Sequence, residues 1–241
     1  MPRTGAARAT PRIVVGFDGC PSGWVAVVLR DGAVADVRVT GSIEAVVQRV
    51  QPSHIGVDMP VGLVDGPRDA DAAGRALLPG RGAVVFSSPA RCVVEAWEAG
   101  ALQTHAQATA CSVAGTGVGL SQQAWRLVPK MAEVERLVAG GLPLTEVHPE
   151  VAFATLAGAP LPRKRSWPGL MVRRDLLAAR GIDLPSRFFR DDDAAPDDVV
   201  DAAICAWVAD GLGGAGVVRT VPASTDQYAY GRPIVLTVRE T

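Results

Sequence analysis

Lysine is nearly absent from this chain: of 24 basic residues only Lys130 and Lys164 are lysines, and the rest are arginines. Acidic residues number 25, which leaves a formal net charge of −1. That balance excludes binding through a generally basic surface, so any contact with nucleic acid needs a local patch. Histidine is scarce, at His54, His105 and His148, and the four cysteines (Cys20, Cys92, Cys111, Cys205) follow no CxxC or Cys/His spacing. This argues against a zinc site and reads as free thiols in a reducing compartment. No apolar run approaches the ~20 residues of a membrane helix. Residues 1–12 carry Arg3, Arg8 and Arg12 without the apolar stretch of a secretory signal. The expectation is a cytoplasmic protein with a mobile tail over 1–12 and no membrane partner.

What is present is apolar and β-rich at the start. With 48% hydrophobic and 20% charged residues over 241 positions, the chain can bury a large core and suits one domain, or one domain with a large insertion. The first apolar run, Ile13 to Leu29, places two β-rich segments around a cluster of Gly, Pro and Ser, a hairpin pattern. Strands are expected at 13–18, 24–30 and, after the Asp31-Gly32 turn, 33–39, as an antiparallel meander. Ser42 caps a helix near 43–51 with Ile43, Val46, Val47 and Val50 on one face. His54 to Asp58 then reads as a strand that lies parallel to an earlier one through a right-handed crossover. From Pro60 to about Pro143 the pattern is mainly helical, near 67–78, 90–112 and 121–139. Another strand follows at 144–148, and Pro149 opens a helix at its first position. Helices near 167–180 and 197–212 flank a charged loop at 187–193, and two β-like runs close the chain at 217–221 and 234–238.

Aspartate is depleted in strands and rarely buried without a partner. Yet Asp18 and Asp58 each close an apolar strand. On parallel neighbours both carboxylates emerge at the carboxyl edge of the sheet, where α/β sheets bind ligands. In the last helix Asp198 and Asp201 stand i, i+3 on one face, ahead of Ala202, Ala203, Ile204, Ala206 and Trp207, a stretch suited to close packing. Carboxylates brought together this way repel one another unless cations sit among them, and hard oxygen ligands suit Mg²⁺ or Mn²⁺. Two such ions ~4 Å apart clamp the attacking and leaving oxygens of a phosphodiester. In that scheme Asp18 bridges both ions, Asp58 holds one, and Asp201 with Asp198 holds the other. The plainer alternatives are an Asx turn into Gly19, a strand-end cap before Pro60, and stabilisation of a helix dipole.

Glu146, His148 and Glu150 form a polar knot at a strand-to-helix corner. Either glutamate is a candidate for the metal shell, and His148 for carrying a proton; a capped corner is the other reading. Lys130 and Lys164 are candidates for neutralising substrate phosphates, and Arg165 reads as surface charge. Asp197 reads as a cap or first-turn charge, and Trp125, Trp167 and Trp207 read as core. The stretch Gly115-Thr116-Gly117-Val118-Gly119 follows no strand and lacks GK[ST], so it is a connection rather than a phosphate loop.

Three meander strands, a helix, a strand and a later strand and helix, with acids at the first strand, fourth strand and last helix, resemble the ribonuclease-H fold. More closely, five stretches together resemble the domain-of-unknown-function family 429, predicted nucleases of that fold. They are Gly16-Phe17-Asp18-Gly19-Cys20-Pro21-Ser22-Gly23-Trp24, Gly56-Val57-Asp58-Met59-Pro60, Ser121-Gln122-Gln123-Ala124-Trp125 with Pro129-Lys130, Glu146-Val147-His148-Pro149-Glu150, and Asp197-Asp198-Val199-Val200-Asp201-Ala202. The Asp198/Asp201 pair is also similar to the ending of the Holliday-junction resolvase branch. The resemblance implies an α/β protein with a ribonuclease-H-like mixed sheet, three antiparallel strands then parallel strands, flanked by helices. The chain reads as one domain over 13–241, and it departs from simple ribonuclease-H enzymes in a helical insertion at about 60–143, expected to cover the sheet edge as a lid or selector. The resemblance further implies a metal-dependent nuclease or phosphodiesterase acting on nucleic acid or a small phosphate compound. The alternatives are a nucleotide-binding phosphotransferase of the actin and sugar-kinase class, which needs two such domains, and a binding module without catalysis.

Overall fold

The computed structural model describes residues 10–186, 194–214 and 216–240. Residues 1–9 of the expected tail and the charged loop 187–193 lie outside the described residues. Strands β1 (Ile13–Cys20), β2 (Gly23–Arg30) and β3 (Ala33–Thr40) form the antiparallel meander. Helix α1 (Ile43–Val50), capped by the Ser42 side chain, leads into β4 (His54–Val57), which runs parallel to β1. Strand β5 (Leu144–Glu146) adds parallel to β4. The order β3-β2-β1-β4-β5 is that of a ribonuclease-H-like mixed sheet.

Period-two alternation divides the sheet between two cores. Val15, Phe17, Trp24, Ala26, Ile55 and Val57 face one side, where α1 and three helices of the 60–143 stretch cover them. The stretch forms α2 (Asp69–Ala76), α3 (Arg91–Glu98), α4 (His105–Thr116) and α5 (Gln122–Ala139). Of these, α3, α4 and α5 supply Val93, Ala108 and Met131 to that core. Val14, Val25, Val27 and Leu29 face the other side, against α6 (Pro149–Ala157), α7 (Trp167–Ala178) and α8 (Pro196–Gly213). A third cluster joins α2 and α6 to the paired strands β6 (Val218–Val221) and β9 (Leu236–Arg239). A small hairpin, β7 (Tyr228–Ala229) with β8 (Arg232–Pro233), lies between those two strands in sequence. Among the described residues no helix is long and apolar enough to cross a membrane.

The expected helix at 90–112 is two helices. Gly100, in the left-handed region at φ 73°, ends α3. Thr104 and Gln107 then cap α4 reciprocally. That Thr-x-x-Gln box restarts a helix where apolar periodicity alone continues one.

Helix α8 lies closest to the sheet, on β1, β2 and β4. A Cβ on Gly16 would run into the Ala202 carbonyl and the Ala206 nitrogen, and one on Gly56 into the Cys205 carbonyl. Gly16 and Gly56 are direct partners in the parallel ladder. Two side-chain-free positions side by side, facing Ala202, Cys205, Ala206 and Ala209, let helix backbone rest on strand backbone.

Candidate metal centre

Two neighbouring strands of the sheet carry Gly-x-Asp at their ends, as Gly16-Phe17-Asp18 and Gly56-Val57-Asp58. Residues two apart on a strand share a face, so each aspartate projects towards the face on which its glycine admits α8. The ladder continues past β4, with the Asp58 N–H donating to the Phe17 carbonyl at 2.9 Å. The two carboxylates are therefore neighbours. Asp201 directly precedes Ala202, the residue seated on Gly16, and the same packing fixes its place. One carboxylate oxygen from each of Asp18, Asp58 and Asp201 lies within 4.8 Å of the others.

Asp18 and Asp201 are buried and Asp58 is half-buried. The Asp18 Oδ1 accepts from the Gly19 N–H at 2.8 Å, one residue short of the Asx turn that is the plainer alternative there. Lys164 pairs through its ammonium with the Asp201 Oδ2 and stands 3.7 Å from Asp197. The Asp201 Oδ1 is buried with no partner. Burial, together with repulsion from Asp58 and Asp201, holds the Asp18 pKa well above the ordinary carboxylate value. Burial pushes Asp58 up to about 6 against the opposing pull of Lys164. Burial likewise pushes Asp201 up to about 7, again with Lys164 opposing it. Burial alone would lower Lys164, but Asp201, Asp18 and Asp58 outweigh it and raise its pKa. Three acids thus face one fixed cation. An all-oxygen donor set with an unsatisfied carboxylate oxygen fits a hard divalent cation.

The other sequence candidates divide. Asp198 lines the same cleft, but its Oδ2 accepts from the Ala195 N–H and caps its own helix. His148 precedes α6, half-buried in the cleft wall, and its Nδ1 is out of solvent with no partner. Burial lowers its pKa against the pull of Asp201 and Glu150. Glu146 is not joined to the three acids. It accepts from both Arg68 nitrogens, at 2.5 and 3.1 Å, and from the Val61 N–H at 2.7 Å. Glu150 is held by Arg173 at 2.6 Å and Arg81 at 3.1 Å. Lys130 donates to the Gly23 carbonyl at 2.6 Å and lies 5.0 Å over the Trp24 ring, so the β1–β2 hairpin occupies it rather than the cleft. Asp197, set aside as a first-turn charge, is buried and takes both Lys164 and Arg165. Trp207 is core as expected, whereas Trp167 is 75% exposed.

A cleft of about 870 Å³ opens over the acids, with Arg81, Arg126, Arg163, Lys164 and Arg165 also on its walls. A family model described as Protein of unknown function (DUF429) matches residues 16–227. The chain belongs to that family. No curated protein and no solved structure matches it. The match to DUF429 contains Asp18, Asp58 and Asp201, Lys164, and both glycines that seat α8.

The residues that sequence reasoning passed over in this DUF429 chain are basic. Arg68, buried between Glu146 and Asp71, and Arg173, buried against Glu150, neutralise acids in the cleft wall. Arginine is common in this sequence, and nothing local sets these two apart. The paired Gly-x-Asp motif was the available signal for the register of the acids.

Proposed function

We propose that this protein is a divalent-metal-dependent phosphodiesterase, a nuclease, whose centre is Asp18, Asp58 and Asp201. The observation that carries the reading is the convergence of three carboxylates from β1, the end of β4 and α8, with an unpartnered oxygen on Asp201. Asp18, Asp58 and Asp201 would hold Mg²⁺ or Mn²⁺, with Asp198 beside them. Such an ion, when bound, supplies Lewis-acid polarisation of the phosphoryl oxygen and activation of water.

The chain's own residues do the rest. The glycine-seated α8 fixes the carboxylates so that little reorganisation is needed. Lys164 opposes protonation of Asp201 and supplies positive charge beside the position a scissile phosphate takes. Arg126, Arg163 and Arg165 on the cleft walls receive flanking phosphates. His148, kept neutral by burial, is placed to accept a proton at a ring nitrogen. Glu146 and Glu150, each neutralised by arginine, keep the wall rigid. A cytoplasmic location belongs to the same proposal and rests on four cysteines without metal-ligand spacing.

The test is hydrolysis of single-stranded, duplex and branched nucleic acids with Mg²⁺ or Mn²⁺, beside Asp18→Asn. Metal-dependent cleavage by the wild type, lost in the variant, is expected. Cleavage that survives Asp18→Asn refutes the scheme.

A further inference from the structure

Trp167 opens α7 with its ring in solvent, 75% exposed, and belongs to none of the three hydrophobic cores. The turn before it is fixed at every residue. Lys164 pairs with Asp201 and Asp197, and Arg165 donates to Asp197 at 3.2 Å. The Ser166 N–H and hydroxyl both donate to the Arg163 carbonyl, at 3.0 and 2.7 Å. The Ser166 oxygen in turn accepts from the Gly169 N–H at 3.2 Å. A Cβ on Gly169 would run into that same Arg163 carbonyl, so the first turn of α7 is pressed onto the loop. Three residues span at most ~11 Å from Cα to Cα. The exposed indole therefore starts from a Cα within ~11 Å of that of Lys164, a residue of the cleft wall, on a turn with no slack.

An indole face presented beside cations is the arrangement that takes up single strands: the cations follow the backbone and the ring stacks on a base. Arg163, Lys164 and Arg165 line the cleft, and the side chain of Arg165 is 82% exposed. A duplex hides its base faces from such a ring. We propose that Trp167 is a stacking platform for an unpaired nucleobase, and that the substrate is single-stranded nucleic acid led by the 163–165 cations to the three acids. The substrate assignment rests on the phosphodiesterase reading; the platform does not.

The experiment uses the full chain. A fluorescein-labelled dT 12-mer, an abasic strand of equal length and a duplex are titrated against wild type, Trp167→Ala and Trp167→Phe. Anisotropy is read in Ca²⁺, and cleavage is followed separately in Mn²⁺. Trp167→Ala is expected to lose roughly 5- to 150-fold in affinity for the dT strand. Trp167→Phe should keep most of it, the abasic strand should bind wild type and Trp167→Ala alike, and the duplex should bind no better than the abasic strand. An unchanged dT affinity in Trp167→Ala, or an equal loss on the abasic strand, overturns the platform. Binding that depends on Trp167 with no cleavage of any strand upholds the platform and refutes hydrolysis.

Discussion

Asp18→Asn should stabilise the metal-free protein. Two unit charges 4.8 Å apart repel by about 3.5 kcal/mol at an effective dielectric of about 20. Asp18 has two such neighbours, and Lys164 offsets roughly one of them. The native protein can also keep a proton instead of enduring the repulsion, which caps the penalty near the pKa shift, about 1.4 kcal/mol for each unit. A net gain of about 3 kcal/mol follows at pH 8. For a chain of this length that raises the melting temperature by about 6–12 °C. Asparagine keeps the volume and the oxygen that accepts from Gly19, so packing is not confounded.

The pH dependence gives the sharper check. Folding raises these acids above the ordinary 3.8, to about 6 at Asp58 and about 7 at Asp201. Between those limits the native state holds protons that the unfolded chain has released, so stability falls as pH rises. Wild-type stability should decline as pH rises from about 4 through about 7. The advantage of Asp18→Asn should be absent near pH 4 and grow as pH rises, because the native Asp18 is raised. Saturating Mn²⁺ should restore the wild type selectively, by about 2.7 kcal/mol at a hundredfold excess over Kd. Calorimetry in EDTA across pH, then in Mn²⁺, measures all of this. A variant that melts at or below wild type at pH 8 in EDTA, or whose gain is the same at every pH, refutes the electrostatic reasoning.

Lys164→Met removes the fixed cation and keeps the apolar stem. Its side chain is 32% exposed, so the loss should be about 2 kcal/mol rather than the ~3–5 of a fully buried broken pair. Mn²⁺ should then raise the melting temperature of the variant more than that of wild type. Gly56→Ala should force α8 away from β4, at a cost of about 1–3 kcal/mol or more, and weaken the Mn²⁺ shift because Asp201 moves with the helix. Gly66→Ala, where a Cβ meets nothing within 4 Å, is the control for both measurements. Glu146→Gln should cost about 3–5 kcal/mol by leaving the buried Arg68 short of a counter-charge, with the Mn²⁺ midpoint unmoved. A weaker midpoint at unchanged stability would instead make Glu146 a ligand.

The meander, the crossover to β4 and the close packing of α8 were legible because each rests on a local pattern: alternation, a Ser N-cap, a run of small and apolar residues. The two strand-end aspartates were legible for a similar reason, since an acid after an apolar strand is a conflict in the sequence itself. The break between α3 and α4 was missed because a capping box outweighs continuous apolar content. The environments of Glu146, Glu150 and Lys130 could not be read at all. They depend on Arg68, Arg173 and the Trp24 ring, which lie 78, 23 and 106 positions away and meet them only in the folded chain. Trp167 was misread because aromatic residues usually find a core, whereas here Pro168, Gly169 and the Ser166 cap commit the first turn of α7 to the cleft rim.

The distribution of charge explains how this site can fold before any ion arrives. Several acids around the cleft are met by arginine: Glu146 and Asp71 share Arg68, Glu150 has Arg173 and Arg81, and Asp197 has Arg165. The three acids at the floor have Lys164 among them, and the backbone around them is held by the close packing of α8 on Gly16 and Gly56. A buried like-charge cluster persists only where the surrounding structure over-determines it. Gly16 and Gly56 supply that constraint, because α8 cannot rise from the sheet to relieve the repulsion without giving up the contacts of Ala202, Cys205 and Ala206. The same two glycines that make the acids costly to the apo fold therefore set the spacing on which any cation bound there depends.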